Sequence, residues 1–312
     1  MLKMVPEKTN LNFLGLRKIA LVFSIISIII ALLIFFINGL NKGIDFEGGI
    51  LMEVGTPVTA DISIFRSVMS DLRLGDVTVQ TFGSDNDVLI RVERQPGGAP
   101  EQQAAVERVQ VELNKVMEGL SYRRTEFVGP KVSGELVEAG FMSVIFAVLA
   151  VLVYIWFRFE WHFGVGAVAA LIHDVLLTIG FFSLTGLEFN LSIIAAILTI
   201  VGYSLNDTVV VFDRIRENLR KHQSMELEML LNLSLNQTLS RTIMTSVTTL
   251  LALLSLFFFG GEVLRGFTAA MIWGVFIGTY SSVFIASPVL IYLNLDKSYM
   301  ALNVEEEVER IT

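Results

Sequence analysis

The stretch IALVFSIISIIIALLIFFI, residues 19–37, follows Arg17 and Lys18 and contains no charged residue. A helix needs about 17–25 mainly apolar residues to cross a bilayer. The apolar core of a secretory signal is shorter, about 7–15 residues, and ends at a cleavage site with small residues. No such site precedes Asn41. The run therefore predicts an uncleaved membrane helix, over residues 19–40.

Five further apolar segments predict five more spans. Hydrophobic residues make up 53% of the 312 residues and charged residues 17%, below the roughly 25% charge of soluble domains. Backbone groups in lipid must bond within their own segment, which favours helices. We therefore expect an α-helical membrane protein with six spans. The later five fall at residues 137–157, 164–184, 191–212, 242–259 and 267–293, so residues 137–293 form one membrane region.

Lys and Arg residues in the short flanks predict the orientation, since they favour the cytoplasmic side. The loop between the third and fourth segments, near Glu188, has none. Both termini, residues 1–18 and 294–312, are therefore expected in the cytoplasm, and residues 41–136 outside. The basic residues lie in the N-terminal flank and after the fourth segment: Lys3, Lys8, Arg17, Lys18, Arg214, Arg216, Arg220 and Lys221.

Residues 41–136 are polar enough to form a folded domain, with 10 Lys and Arg against 15 Asp and Glu. Their pattern predicts the order βαββαβ, which is typical of the ferredoxin-like fold. Another small α+β domain is the alternative. Residues 84–87, Ser-Asp-Asn-Asp, have the composition of a hairpin turn. The predicted elements are strands at 50–54, 77–82, 88–92 and 122–127 and helices at 60–72 and 101–117.

Ionisable residues inside spans are costly and are functional candidates. Asp207, beside Asn206, lies in the fourth segment, about 24 Å from Leu191 at 1.5 Å per residue. Arg241 opens the fifth segment from the same side, and Thr245 is one turn deeper. We expect Asp207 and Arg241 to pair, so that protonation of Asp207 releases the arginine. The alternatives are a static ion pair or helix-packing hydrogen bond for Asp207, and a snorkelling side chain for Arg241.

Two other features of the spans are candidates for function or packing. Asp174, beside His173 in the third segment, is a second candidate for proton handling, with a structural hydrogen bond to a neighbouring Ser or Thr as the alternative. Small residues at a spacing of four predict a close helix contact in the sixth segment. They are Gly266, Ala270, Gly274 and Gly278.

Composition argues against several other classes of protein. The chain has no cysteine, which excludes disulfides and cysteine nucleophiles, and its three histidines make a metal site improbable. It lacks the H-E-x-x-H, G-x-S-x-G and Walker motifs, so we expect neither an enzyme nor a cofactor. The net charge of −8 argues against a nucleic-acid partner.

Three motifs resemble the SecF family, the membrane subunits of the SecDF accessory complex in the RND superfamily. They are GIDFEGG at 43–49, GYSLNDTVVVFDRIREN at 202–218, and a third that runs from NQTLSRT at 236–242 to GTYSS at 278–282. The resemblance covers essentially the whole chain. It places Asp45, Gly48, Gly49 and Asn206 at motif positions, and implies that Asp207, Arg241 and Thr245 take part in proton transport.

The same resemblance implies the fold and the partners. A family member is one half of a pseudo-symmetric twelve-helix assembly in the bacterial inner membrane, with SecD as the other half. The partners implied are SecD, the SecYEG channel, YajC and an unfolded preprotein. The implied activity uses the proton-motive force to pull exported proteins after SecA and SecYEG have moved them across.

Two other functions remain as alternatives. Half of a small-molecule RND exporter would need a larger or duplicated outer domain than the one predicted. A scaffold that stabilises SecYEG without transport would tolerate neutralisation of Asp207 and Arg241, whereas a proton-coupled protein would not.

Overall fold

The computed structural model describes residues 9–293 and residue 295. The C-terminal tail, residues 294–312, and the first part of the N-terminal flank therefore lie almost entirely outside the described residues. A short 3₁₀ turn, Leu14–Leu16, leads into α1, Arg17–Asn38. A one-turn helix, α2, Ile44–Glu47, then connects the first span to the folded domain, which is called the outer domain after its expected location.

The outer domain is a four-stranded antiparallel sheet with two helices on one face. Its elements are β1 Gly49–Gly55, α3 Ile62–Leu72, β2 Val77–Phe82, β3 Ser84–Val92, α4 Ala99–Val116 and β4 Ser121–Val128. The strand order is β2-β3-β1-β4. Ile50, Met52 and Val54 of β1 point toward α3 and α4 and are fully buried. The ferredoxin-like prediction is confirmed by this order of elements and strands.

The hairpin turn between β2 and β3 differs from the prediction. Residues 84–87 belong to β3, and the turn is made by Gly83, whose φ of 77° suits glycine. Phe82 pairs with Ser84, so Gly83 alone reverses the chain, and the register shifts between Thr81 and Phe82. The polar composition of residues 84–87 instead reflects an exposed strand end: Ser84, Asp85 and Asn86 are exposed.

Five long helices follow the domain and complete six candidate membrane spans with α1. They are α5 Pro130–Arg158, α6 Trp161–Thr185, α7 Leu191–Lys221, α8 Leu227–Phe259 and α9 Glu262–Ser281. A π-helical segment, Ser282–Ala286, and α10, Ser287–Tyr292, continue α9. The prediction of six spans is confirmed.

The helix pair α7 and α8 extends beyond the apolar segments. We expected the fifth segment to begin at Arg241, but α8 begins at Leu227, so Arg241 lies well inside a continuous helix. The extension is stable because Leu230, Leu231 and Leu235 are buried against the end of α7. Leu14 fills the same cluster and is 1% exposed.

Two asparagines of α8 hold the chain that precedes α1. The Asn236 side chain accepts from the Leu11 N–H and donates to the Leu11 carbonyl, each at 2.8 Å. Asn232 accepts from the Phe13 N–H at 2.9 Å. The start of α1 is thereby fixed to the helix that carries Arg241.

The stripe of small residues in α9 lies against α7. A Cβ added at Gly274 would overlap Ile200, and one added at Gly278 would lie 3.0 Å from the Ser204 Cβ. Ala270 is fully buried, and Gly266 faces Ile193. The glycines thus let two helix backbones approach closely.

Candidate functional site

Asp207 occupies a buried position on α7, within the membrane region. Asp207 is 2% exposed to solvent, and its Oδ2 atom has no hydrogen-bond partner among the described residues. A buried carboxylate is normally paired or saturated with donors. Asp207 is therefore an incompletely satisfied acid within the membrane-spanning part of α7.

Two side chains of α8 surround Asp207, as the sequence predicted, but the contact differs from the expected one. Thr245 lies beside the carboxyl, and Arg241 is near enough to act on its charge. No salt bridge joins Asp207 to Arg241 in the described part of the chain, so the expected closed ion pair is not formed. The Thr245 hydroxyl donates to the Thr242 carbonyl at 2.9 Å, and the Arg241 side chain is exposed.

An exposed polar face runs along α7 next to this site. Asn206 is exposed although it adjoins the buried Asp207, and Gly202 and Thr199 precede it on the same face. A Cβ added at Gly202 would meet nothing within 4 Å. Small and polar side chains are poor partners for lipid, and they favour close helix–helix contact. The spacing of three and four places the exposed residues in one stripe: Ser192, Ala195, Thr199, Gly202 and Asn206.

Asp174 of α6 is bonded quite differently. Its Oδ2 accepts from Ser204 of α7 at 2.6 Å and from Ser281 of α9 at 2.8 Å. Its Oδ1 lies 2.9 Å from Nδ1 of His173. These contacts join three helices around one carboxyl group, which favours the structural alternative for Asp174.

The neighbourhood of His173 was not predicted from the sequence. Its ring stacks on Tyr280 with centroids 5.9 Å apart, and the Tyr280 hydroxyl lies 2.9 Å from Ser24 Oγ of α1. The Tyr280 hydroxyl also donates to the Ala20 carbonyl at 2.9 Å. The partners come from helices far apart in sequence, so only the fold brings them together. They tie α1 to the same centre as Asp174.

Asp45 of the first motif connects the outer domain to the helix that carries Asp207. Its Oδ2 accepts from the Leu191 N–H, the first of α7, at 2.8 Å. A carboxylate at a helix N-terminus also interacts favourably with the helix dipole. Nearby, Arg91 of β3 forms a salt bridge of 2.5 Å with Glu188. The domain is thus fastened to the outer end of α7.

Gly48 and Gly49 allow β1 to start beside this connection. Their φ values are 75° and 123°, a region that other residues rarely adopt. A Cβ at Gly49 would lie 2.6 Å from the Val92 carbonyl oxygen. The two glycines therefore let the chain turn from α2 directly into the centre of the sheet. No cluster of three His, Asp or Glu side chains suited to a metal occurs among the described residues.

Six spanning helices with a ferredoxin-like domain after the first define a multi-pass membrane protein with half of an RND-type fold. Residues 108–296 match the model of the protein export membrane protein SecD/SecF C-terminal family, and residues 33–56 match the SecD/SecF GG motif. The chain belongs to the SecF family of protein export membrane proteins.

Relatives in bacteria match over nearly their full length. The protein translocase subunit SecF of Rickettsia rickettsii is 45% identical over 293 residues, which are 93% of this chain and 94% of the relative. That of Rhodobacter capsulatus is 45% identical over 309 residues, which are 95% and 93% of the two chains.

Two solved structures share the fold. SecDF of Thermus thermophilus, a translocon-associated membrane protein, has a TM-score of 0.83 at 34% identity over 94% of this chain. A SecDF structure described as a super-membrane-facing form has a TM-score of 0.65 at 32% identity over 99% of this chain. This chain spans 40% and 41% of the two SecDF chains. Its membership of the family assigns it to protein export.

Proposed function

We propose that the protein is a proton-motive-force-driven accessory subunit of the Sec translocase. It acts with a SecD-type subunit in the bacterial inner membrane, with both termini in the cytoplasm. It completes export by pulling or holding the polypeptide on the outer side after SecA and SecYEG have moved it. The observation that carries the proposal is the buried Asp207 carboxyl with an unsatisfied oxygen beside Thr245 and Arg241.

The proton gradient acts on this carboxyl. A proton that moves down 100 mV releases about 2.3 kcal/mol, which shifts a two-state equilibrium by a factor of about 50. In the charged form Asp207 attracts Arg241, and the Thr245 hydroxyl turns from the Thr242 carbonyl to donate to the carboxylate. In the neutral form that attraction is lost, so α7 and α8 repack. Asp174, which already holds three partners, anchors the bundle while this occurs.

The contacts at the outer end of α7 transmit the movement. Asp45 bonds the first N–H of α7, and Arg91 pairs with Glu188 just before that helix. A tilt or shift of α7 therefore changes the position of the outer domain.

The proton path lies at the interface with the second six-helix subunit. The exposed stripe on α7 would place Asn206 and Thr199 in lipid if the chain were alone, and exposed Arg241 adds a charge near the same site. Exposed polar groups inside a bilayer are expensive. A partner helix that packs on the stripe would cover these groups and provide a polar route to Asp207.

The test replaces Asp207 by Asn in inverted vesicles that contain the complete complex, and follows the late, ATP-independent stage of export. Asn has the shape of Asp but cannot take up and release a proton, so we expect the stimulation by the proton gradient to disappear. The matched control is Asp213→Asn on the same helix, where the aspartate is partly exposed and pairs with Arg158 at 2.7 Å. Late export that stays fully proton-dependent in Asp207→Asn would refute proton coupling here and favour the scaffold.

A further inference from the structure

A cleft of about 720 Å³ lies between the outer domain and the outer ends of α7 and α9. Its upper wall is the face of the sheet that α3 and α4 leave uncovered, with Leu51, Phe82 and Leu89 in the middle. Its lower wall consists of residues 187–192 and 262–267, which precede and begin the two spans. The cleft therefore lies between the outer domain and the bundle, where a polypeptide on the outer side can reach it.

The domain touches the membrane region on both sides of this cleft. On one side, Arg91 and Asp45 hold the outer end of α7. On the other, the turn at Gly83 rests on the start of α9, because a Cβ added there would lie 2.7 Å from the Glu262 Cγ. The space between the two contacts is a passage with an apolar upper wall, partly open to the outside.

The charge of the lining is strongly negative. Its carboxylates are Asp45, Glu53, Asp85, Glu126, Glu188 and Glu262, whereas its only cationic side chains among the described residues are Arg124 and Arg265. The hydrogen bond that Arg124 donates to Glu126, with the more distant charges of Glu53 and Asp45, raises the pKa of the Arg124 side chain.

The two arginines do not neutralise the cleft. Arg124 pairs with Glu126 at 2.8 Å, and Arg265 pairs with Glu262 at 2.5 Å. Glu53 and Asp85 form no salt bridge with any residue that the structure describes. Unpaired carboxylates beside an apolar surface suit a ligand that is both cationic and apolar, and they repel anionic lipid headgroups.

We propose that this cleft binds a segment of the exported polypeptide that carries both apolar residues and Lys or Arg. The proposal rests on the proposed function, since it assumes that an exported chain reaches the outer domain. Residues two apart on a strand face the same side, so Leu51 and Glu53 of β1 both lie on the upper wall of the cleft. Apolar side chains of the segment can therefore lie on the apolar part of this wall, while cations beside them meet Glu53 and Asp85.

The test places a photoreactive amino acid at Gln80, which is exposed and lines the cleft, in the complete complex in membrane vesicles. Gln103, exposed on α4 on the opposite side of the sheet, is the control position. Two stalled export substrates are compared, and they differ only in one segment. In the first substrate this segment alternates Leu with Lys, and in the second it alternates Leu with Glu. We expect adducts from Gln80 with the Lys substrate, severalfold fewer with the Glu substrate, and background at Gln103.

The charge requirement is tested by Glu53→Gln with Asp85→Asn, which should lower the adducts with the Lys substrate severalfold. Glu107→Gln with Glu118→Gln removes the same charge from exposed positions away from the cleft and should leave the adducts unchanged. Equal adducts with both substrates, adducts only with the second six-helix subunit, or no effect of the cleft variant would each overturn the proposal.

Crosslinking is measured without a proton gradient, so its result does not depend on proton coupling. The cleft proposal and the proposed function can therefore be rejected independently of each other. Normal adducts with no effect of Asp207→Asn on export would reject proton coupling alone. Absent adducts with the expected effect of Asp207→Asn would reject the cleft alone.

Discussion

Two buried aspartates on neighbouring helices, Asp174 and Asp207, differ in how completely their carboxyl oxygens are hydrogen-bonded. Asp174 is held by two serines and His173, so its charge distribution is fixed by three helices. Asp207 keeps one oxygen without a partner and lies near an arginine that it does not contact in a salt bridge. The first arrangement joins three helices around one carboxyl group, and the second leaves one carboxyl oxygen free for a proton.

The sequence could identify Asp207 because a carboxylate is conspicuous in an apolar run. It could not assign the role of Asp45, whose partner Leu191 is 146 positions away. It also could not decide whether Arg241 closes an ion pair, since this depends on the rotation of α8 and the reach of one side chain.

Asp45→Ala should destabilise the junction between the outer domain and α7. The substitution removes the acceptor of the Leu191 N–H, and loss of a helix-capping acceptor costs about 1 kcal/mol. Thermal unfolding of the purified protein measures the change. Asp45→Asn keeps an acceptor oxygen and should lose less. Asp71→Ala, at an exposed position on α3, is the control. Equal stability of Asp45→Ala and Asp71→Ala would contradict the capping role.

At the scale of elements, hydropathy predicts that helices exist but not where they end. The fifth predicted span corresponds to the apolar part of α8. The first turns of α8 alternate leucines with polar residues, so their hydropathy is that of a loop. These turns are helical because Leu230 and Leu235 pack against α7 and Asn236 bonds to the N-terminal segment. Neither contact can be read from local composition. The turn at Gly83 was missed for a similar reason, because a one-residue turn leaves little trace in composition.

The glycines of α7 and α9 should respond differently to the same substitution. Gly274→Leu would overlap Ile200 in the close α7–α9 contact, and overpacking of this kind costs about 1–3 kcal/mol. We expect a lower unfolding temperature for the chain alone. Gly202→Leu meets open space and should leave that temperature unchanged, while reducing co-purification with the second six-helix subunit. Normal co-purification of Gly202→Leu would contradict the placement of the interface on this stripe.

At the scale of the whole molecule, the protein is a membrane bundle whose outer domain contacts the bundle on both sides of the cleft. On one side, Asp45 and Arg91 join the outer end of α7, and on the other, the Gly83 turn packs against Glu262. The first lies on the helix that carries Asp207, and the second is a simple surface contact. We expect a rearrangement of α7 to move the domain about the first contact and to open or close the cleft at the second.

The central claim is that protonation of Asp207 changes the position of the outer domain, and a distance measurement tests it most directly. Spin labels on Ser84→Cys and Val263→Cys, both exposed beside the Gly83–Glu262 contact, report its separation, and the chain has no other cysteine. In the complete complex in vesicles, a proton gradient should lengthen the distance between the labels, and Asp207→Asn should abolish the change. A gradient-dependent change that persists in Asp207→Asn, or no change in the otherwise unaltered protein, would contradict the account.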